Sequence, residues 1–304
     1  TKFPTEAAQL KAIWAGQLPA GWDQAIPTFP ADAKGLATRV SSGKVLNGLA
    51  SGLPWLVGGS ADLAPSTMTM LESAEAGNYG GRNMHFGIRE HSMGSICNGM
   101  ALCGLRSYGA TFFVFSDFVR PSVRLSAIMK LPVLYVFTHD SIGLGEDGPT
   151  HQPVEHLAAC RAIPGLLVIR PGDANEVAEA YRIAVGGSRR PTAMVLSRQN
   201  VPTLDRSKFA SAAGTARGGY VLADAPSGKP SAIIMAIGSS VPVAMMMAEG
   251  FPSSVCQASA HQHPPVPSTS ISESPPNMWS RKSKQHSASN PFLIRETLPP
   301  RSHR

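Results

Sequence analysis

Between residues 36 and 199, short apolar runs alternate with segments of helical spacing. The pattern predicts strands at PWLVGG, NMHFGI, SYGATFFVF, PVLYVFTHDS, GLLVIRP and TAMVLSRQ. It predicts helices at LATRVSSGKVLNGLA, from about His91 onward, at SVRLSAIMK and at DANEVAEAYRIAV. Strands that are apolar on both faces and alternate with helices are typical of a parallel sheet covered on both sides. We therefore expect a three-layer α/β/α domain with a mainly parallel sheet.

Polar residues cluster where these predicted strands end. The clusters are GGSADLAPS after the first strand, Arg89 and Glu90 after the second, THDSIGLGEDGPTHQP after the fourth and SRQN after the last. In parallel sheets, ligands bind beyond the carboxyl ends of the strands. The sequence therefore predicts a ligand site built from these four clusters.

Composition divides the chain into four parts. Residues 1–35 are rich in Pro, Gly and Trp and are predicted to be an irregular lead-in or linker before the main domain, residues 36–205. Residues 218–250 contain a strand, a Gly-Ser-Ser turn and the start of a helix, which indicates the beginning of a second, truncated α/β domain. Residues 251–304 hold nine Pro and twelve Ser. We expect them to be a disordered, aberrant tail, since this composition buries too little apolar surface to offset its ordering entropy.

Charge and cysteine content exclude several classes of protein. The formal net charge is +7, but much of the excess lies after residue 250 and no basic helix carries interleaved aromatics, which argues against a nucleic-acid partner. No apolar run approaches the roughly 18 residues of a membrane helix, and the N-terminus lacks the apolar core of a secretion signal. The four cysteines form no CxxC pair, as suits a reducing compartment. We expect a protein that is not secreted and has no membrane partner.

Six motifs follow one another over about residues 30–240: GGSADLAPS, FGIREHSMGSICNGMA, ATFFVFSDF, THDSIGLGEDGPTHQP, DANE and LSRQN. Together they resemble the pyrimidine-binding domain of transketolase, a thiamine-diphosphate enzyme. The resemblance implies that fold for residues 36–205 and the start of the C-terminal transketolase domain for residues 218–250. It also implies transfer of a two-carbon ketol unit from a ketose phosphate to an aldose phosphate, in the pentose phosphate pathway or Calvin cycle, in the cytoplasm or a plastid.

Glu90 stands between Arg89 and His91, before a helix of small residues. On spacing alone, it caps that helix or pairs with Arg89. The resemblance instead implies a catalytic, cofactor-binding carboxyl, hydrogen-bonded to ring nitrogen N1′ of thiamine, which promotes the tautomer whose 4′-imino group deprotonates the thiazolium C2. A group with this role must exchange a proton near neutral pH, and an apolar wall favours that by disfavouring the charged form.

Phe112, Phe115 and Phe118 recur at three-residue spacing, which in aromatics usually means core packing. The resemblance implies that they form an apolar, stacking pocket for the aminopyrimidine ring of the cofactor. Phe118 stands where the family commonly has tyrosine, so the ring is kept and a hydroxyl is lost. Asp62 resembles an aspartate on the thiazolium side of the cofactor, although by itself it equally caps a turn.

Three polar residues of the loop after the fourth strand resemble the substrate channel of the family. His139 resembles a residue that lines the channel and takes part in catalysis. Asp147 matches one that contacts sugar hydroxyls, and His151 matches one at the sugar-phosphate end. Without the resemblance, a lone loop histidine is usually only solvated.

Arg39, Ser66 and Arg198 complete that phosphate site in the same resemblance. Guanidinium groups suit phosphate oxygens because their planar fork matches two oxygens at once. The two arginines lie about 160 positions apart and meet only through the fold, so their pairing rests on the resemblance. The alternative for Arg39 is a surface residue of a helix.

The family holds the diphosphate through Mg²⁺ with a GDG-type motif, and neither GEDGPTHQ nor RPGDANE fits that motif. The resemblance therefore implies that this chain offers no metal ligand and supplies only the pyrimidine half of a site shared between two subunits of a homodimer, with the N-terminal diphosphate domain missing. Two alternatives stay open. One is a non-catalytic partner or pseudo-subunit. The other is a different thiamine-diphosphate enzyme such as deoxyxylulose-phosphate synthase, against which the loop from His139 to His151 argues.

Overall fold

The computed structural model describes residues 2–72, 81–140, 142–145, 147–187, 189–226, 228–249, 253–257 and 260–261. Its helices are α1 (Pro4–Trp14), α2 (Thr38–Gly52), α3 (Ala64–Thr67), α4 (Glu90–Leu102), α5 (Ser116–Ile128), α6 (His156–Arg161), α7 (Ala174–Gly186) and α8 (Val241–Glu249). Its strands are β1 (Asp32–Ala37), β2 (Leu56–Ser60), β3 (Asn83–His85), β4 (Arg106–Phe112), β5 (Leu134–Asp140), β6 (Leu167–Ile169), β7 (Thr192–Ser197), β8 (Asn200–Thr203), β9 (Tyr220–Ala223), β10 (Ala232–Ala236), β11 (Ser253–Gln257) and β12 (Ala260–His261). Within these ranges, none of the helices combines the length and apolar character needed to cross a membrane.

The main sheet has the strand order β12-β6-β7-β5-β4-β2-β3. Strands β6, β7, β5, β4, β2 and β3 run parallel to their neighbours, and the short β12 joins the edge antiparallel to β6. Helices α2 and α7 cover one face, and α4, α5 and α6 cover the other. The predicted three-layer α/β/α fold with a mainly parallel sheet is confirmed.

Strand β5 shows why both faces of the sheet must be covered. All of its residues are buried. Val136 belongs to one core together with Leu46 of α2, whereas Tyr135 and Phe137 belong to a second core together with Met93 of α4. Because successive side chains of a strand point to opposite faces, an unbroken apolar run is what a two-sided sheet requires.

The prediction that residues 1–35 are irregular is wrong near both ends of that segment. Helix α1 begins at Pro4, and proline suits a first helical turn because its missing N–H has no partner there. Ile13 of α1 packs against the core beside α2. Strand β1 begins at Asp32 and pairs antiparallel with β8, with Leu36 opposite Val201. A pairing between such distant segments leaves no local signal in the sequence.

Strand β4 is shorter than predicted. It ends at Phe112, and Phe113–Phe115 form a 3₁₀ turn that leads into α5. The run FFVF suggested a longer strand because apolar content alone does not separate a strand from a buried turn. The turn buries Phe113 in the core and leaves Phe112 and Phe115 half-buried at the end of the sheet.

A small second unit follows the main sheet. Strands β10 and β11 are parallel, β9 is antiparallel to β11, and α8 packs beside β10. The prediction that residues 251–304 are disordered is wrong for Ser253–Gln257 and Ala260–His261, which are strands held by backbone pairing, and such pairing needs no hydrophobic periodicity. The other residues of the predicted tail, among them 262–304, lie outside the described residues.

Candidate active site

Glu90 is the first residue of α4 and lies next to the carboxyl end of β4. Its exposed fraction is 7%, and its Oε1 accepts a hydrogen bond of 3.2 Å from the hydroxyl of Thr111. The Arg89 guanidinium donates to the carbonyl oxygen of Phe86, and within the described part of the chain no ion pair joins Arg89 to Glu90. Because a carboxylate can accept about four hydrogen bonds, this buried group keeps capacity for a ligand that offers an N–H.

A wall of aromatic rings begins at Phe112, the last residue of β4. Phe112, the residue after Thr111, has its ring 5.8 Å from that of Phe115, and the two rings are stacked. The centroid of the Phe112 ring also lies 3.9 Å from that of the His139 imidazole, and the His151 ring makes T-shaped contacts with both phenyl rings. Core packing, the alternative for these aromatics, is the role of Phe113 rather than of this half-buried pair. The wall therefore presents apolar ring faces at the mouth of the sheet.

Phe118 lies at the rim of this wall rather than inside it. Its ring is 6.0 Å from that of Phe115, yet 61% of the residue is exposed. Its position on the first turn of α5 faces it outward from the wall. Among the three predicted aromatics, Phe118 thus makes the least contact with the chain itself.

The basic residues predicted for the phosphate end come together. The Arg198 Nε lies 3.4 Å from a carboxylate oxygen of Asp147. Arg39 donates from Nη1 to the carbonyl oxygen of Ser66, at 2.5 Å. Burial lowers the pKa of Arg39, the positive charge of Arg198 lowers it further, and the charge of Asp147 raises it. Two guanidinium groups close enough for one to shift the pKa of the other form a site that stabilises a bound anion.

His139 joins the aromatic wall to this basic group. It is buried, and Thr138 Oγ1 lies 2.9 Å from its Nδ1. Burial lowers its pKa to about 4, and the charge of Arg39 contributes in the same direction. The imidazole is therefore neutral at physiological pH and offers one donor and one acceptor nitrogen.

The backbone is strained at two of the predicted site residues, Asp62 and His139. Their φ angles are 63° and 68°, in the left-handed region that favours glycine. Asp62 follows β2 and lines a cavity of about 140 Å³ between the β2–α3 turn and β3. Such strain persists only where the surrounding structure enforces it, and it concentrates at binding sites. A turn cap, the alternative for Asp62, does not by itself require this conformation.

Two hydroxyl groups of the site, those of Thr111 and Thr138, were missed by sequence reasoning. Both are fully buried, and they contact Glu90 and His139 respectively. Their only signal is a polar residue near the end of an otherwise apolar strand. That signal is weak because threonine is also common in strands for its branched shape.

Possible metal ligands among the described residues meet at Asp117, Glu155 and His156, whose ligand atoms lie within 4.8 Å of one another. Asp117 already contacts the Arg120 guanidinium at 2.5 Å and the His156 imidazole at 3.2 Å. The Arg120 guanidinium thus already offsets the charge of this carboxylate from within the chain. The prediction that the chain offers no ligand for Mg²⁺ stays a prediction.

We expect an NMR titration of the full chain to place the His139 midpoint near pH 4, because burial and the Arg39 charge oppose protonation. A folded-state pKa below the unfolded value of about 6.5 means that protonation favours unfolding. The His139 contribution to stability is thus fully present above the unfolded-state pKa of about 6.5 and is lost as the pH falls from there towards 4. Arg39→Met should raise the midpoint, whereas a wild-type midpoint near 6.5 would contradict the described environment.

A parallel sheet covered on both faces, with a buried carboxyl and half-buried phenyl rings near the end of one strand, suits a domain that binds an aromatic cofactor ring from one side. The class is that of the pyrimidine-binding domains of thiamine-diphosphate enzymes. The family model "Transketolase, pyrimidine binding domain" matches residues 34–203. The chain belongs to the transketolase family.

Known transketolases cover most of this chain. Transketolase of Geobacillus stearothermophilus is 52% identical over 252 residues, which are 81% of this chain and 37% of that protein. The structure of the Pichia stipitis transketolase complex with sedoheptulose 7-phosphate has a TM-score of 0.79 at 39% identity, over 86% of this chain and 40% of that one. A split-gene transketolase, described as an inactive tetramer of four beta subunits, has a TM-score of 0.59 at 28% identity, over 74% of this chain and 72% of that one. The chain thus spans well under half the length of the first two proteins.

Proposed function

We propose that this chain provides the pyrimidine half of a transketolase site, at which a two-carbon ketol unit passes from a ketose phosphate to an aldose phosphate. The observation that carries the proposal is the convergence of Arg39, Arg198, Asp147 and His139 from separate segments beside the aromatic wall. Two cations next to an apolar ring pocket suit a phosphorylated sugar brought up to an aromatic cofactor. The sugar phosphate in the Pichia stipitis relative supports the same substrate class.

The residues present fit the pyrimidine side of thiamine diphosphate, because a buried carboxyl and two stacked phenyl rings offer one proton-exchanging contact and apolar faces. When bound, this cofactor supplies the thiazolium carbon that acts as nucleophile. Glu90 would share a proton between its carboxyl oxygen and a pyrimidine ring nitrogen. Phe112 and Phe115 would hold the ring and exclude water, Phe118 would extend the wall at its rim, and Asp62 would bind on the thiazolium side.

Different residues contact the reacting end, the hydroxyls and the phosphate of the sugar phosphate. Neutral His139 donates or accepts a hydrogen bond at the reacting end, and Asp147 accepts from sugar hydroxyls. Arg39 and Arg198 hold the phosphate, and His151 adds a donor at the same end. The Ser66 hydroxyl is a further donor near Arg39, whose guanidinium already binds the Ser66 carbonyl oxygen.

The assembly belongs to the same proposal. Residues 36–205 form the pyrimidine-binding domain and residues 218–250 begin the next domain. Mg²⁺ and the diphosphate are held by a separate diphosphate-binding domain, within a homodimeric enzyme of the pentose phosphate pathway or Calvin cycle. The cytoplasm and the plastid are the proposed compartments, since the free thiols of Cys97, Cys103 and Cys160 suit a reducing environment.

The test is a two-carbon transfer assay with thiamine diphosphate, Mg²⁺, xylulose 5-phosphate and ribose 5-phosphate. We expect no turnover by the chain alone and turnover when a separately expressed diphosphate-binding domain of a close relative is added. The inactive tetramer of beta subunits of the split-gene relative supports the first expectation. Activity or Mg²⁺-dependent cofactor binding by the chain alone would contradict the proposal that this chain supplies only half of the site.

Two other functions are distinguished by the same assay. A non-catalytic partner would bind the added domain without any turnover. A deoxyxylulose-phosphate synthase would be active with pyruvate and glyceraldehyde 3-phosphate instead of the two sugar phosphates. The observation against that synthase is the loop from His139 to His151, whose residues resemble the substrate residues of transketolase.

A further inference from the structure

Each arginine of the phosphate site directly follows a buried hydroxyl residue. Thr38 precedes Arg39 at the start of α2, and Ser197 precedes Arg198 at the end of β7. Thr38 is 2% exposed and Ser197 is 3% exposed. The two hydroxyl residues are 159 positions apart in sequence and are in direct contact.

Thr38 and Ser197 make a reciprocal set of hydrogen bonds. The Thr38 backbone N–H donates to Ser197 Oγ at 3.1 Å, and the Ser197 backbone N–H donates to Thr38 Oγ1 at 2.7 Å. The Ser197 hydroxyl donates to the carbonyl oxygen of Gln199 at 2.9 Å. Its single proton is thereby used, so the Thr38 hydroxyl is the donor of the 3.1 Å contact between the two hydroxyls. Both hydroxyl hydrogens are therefore donated to an acceptor.

This arrangement fastens the start of α2 to the central sheet. The residue before the helix is Ala37, whose side chain cannot cap it. One of the free N–H groups of the first turn, that of Thr38, is satisfied by Ser197 instead. Ser197 is the last residue of β7, which lies between β5 and β6 in the sheet. The position of Arg39 is therefore set by the end of a central strand, next to which Arg198 emerges.

The two arginines need such a restraint. Arg39 and Arg198 are close enough for the charge of one to oppose the charge of the other, and Asp147 lies beside Arg198. Repulsion between the two like charges favours their separation, and the single carboxylate of Asp147 offsets only one of the two charges until a phosphate binds. A binding site gains affinity when its groups are held in the bound arrangement beforehand, since less ordering remains to be done.

We propose that Thr38 and Ser197 are positioning residues for the phosphate end of the site, because their mutual hydrogen bonds fix the backbones of Arg39 and Arg198 at the separation that lets one phosphate monoester contact both. The inference rests on the proposed function of this site. It adds two residues that touch neither substrate nor cofactor.

The test compares isosteric variants of the full chain. Thr38→Val keeps the shape and removes the hydroxyl, whereas Thr38→Ser keeps the hydroxyl. The side-chain Nε–Hε signals of Arg39 and Arg198 are followed by NMR during titration with ribose 5-phosphate, and with ribose as the unphosphorylated control. We expect Thr38→Val to weaken ribose 5-phosphate binding about tenfold, the equivalent of one or two hydrogen bonds, and Thr38→Ser to bind like wild type.

A stability control separates positioning from general loss of structure. Ser107→Ala removes another buried hydroxyl, which donates to the Cys97 carbonyl oxygen of α4, on the face of the sheet opposite α2. Binding is compared at temperatures that give equal unfolded fractions by circular dichroism. Wild-type-like binding by Ser107→Ala supports the proposal, and an equal loss in both variants, or no loss in Thr38→Val, overturns it. If wild type does not distinguish ribose 5-phosphate from ribose, the proposed function fails and the positioning role falls with it.

Discussion

Glu90→Gln is expected to lower the rate of two-carbon transfer by roughly 10²–10⁴-fold in the chain completed with a diphosphate-binding domain. Glutamine has nearly the same shape and still accepts the hydrogen bond from Thr111, but it cannot exchange a proton. The carboxyl is 7% exposed, so water cannot easily replace it as the proton carrier. The measurement is kcat with xylulose 5-phosphate and ribose 5-phosphate as substrates.

The control for this variant is Glu6→Gln, which changes an exposed carboxyl on α1 and should leave kcat unchanged. The thermal midpoint of Glu90→Gln should stay close to that of wild type, since the hydrogen bond and the packing are kept. A Glu90→Gln enzyme that stays within tenfold of wild type would contradict the catalytic role. It would return Glu90 to the role of a favourably placed charge at the start of α4.

The layers of the fold were predictable because their residues carry a local signal. Strand β5 is an unbroken apolar run, and helix α7 has apolar residues on one face with Asp173 capping its start. By contrast, β1 and β8 pair across more than 160 residues, and α1 is held by Ile13 against a core that the rest of the chain builds. Long-range pairing and packing override local composition, so Pro and Gly near the N-terminus were misleading.

The candidate site was predictable by residue type but not by conformation. The motif resemblance named His139 and Asp62, yet nothing in the sequence indicates that both adopt positive φ. The same resemblance named Arg39 and Arg198 but not the buried hydroxyls beside them, because a threonine in a helix start and a serine at a strand end are ordinary residues. What sequence patterns omit here is mutual geometry, which depends on segments 159 residues apart.

A buried ionic network at the junction of the two units uses residues that the cofactor site does not. Asp173 accepts from the Glu176 N–H at 2.8 Å and from Arg206 Nη2 at 2.7 Å. Glu176 accepts from the Tyr220 hydroxyl, and Arg206 donates to the same hydroxyl at 3.0 Å. Burial, together with the charge of Asp173, raises the pKa of Glu176 to about 7. The network joins α7 to β9 of the small second unit.

Arg206→Met is expected to lower the free energy of unfolding by about 3–5 kcal/mol, which is the usual effect of leaving a buried charge without its partner. Asp173 is completely buried, so water cannot take over the place of the guanidinium. Methionine keeps the apolar stem of Arg206, so that lost packing contributes little. The measurement is the urea unfolding midpoint of the full chain at pH 7. Lys208→Met is the matched control, because its ion pair with Asp205 is exposed and should contribute little.

The double variant Asp173→Asn/Arg206→Met separates the uncompensated charge from the lost hydrogen bonds. Asparagine keeps an oxygen that caps α7 at the Glu176 N–H and carries no charge, but it loses the second oxygen, which accepts from the Leu204 N–H at 3.1 Å. The double variant is therefore expected to be more stable than Arg206→Met alone. If it is equally unstable, the broken hydrogen bonds outweigh the relief of the charge: those of Arg206 with Tyr220 and the Ala210 carbonyl oxygen, and that of the Leu204 N–H with Asp173. If Arg206→Met unfolds at the same urea concentration as Lys208→Met, the junction network does not contribute to the stability of the chain.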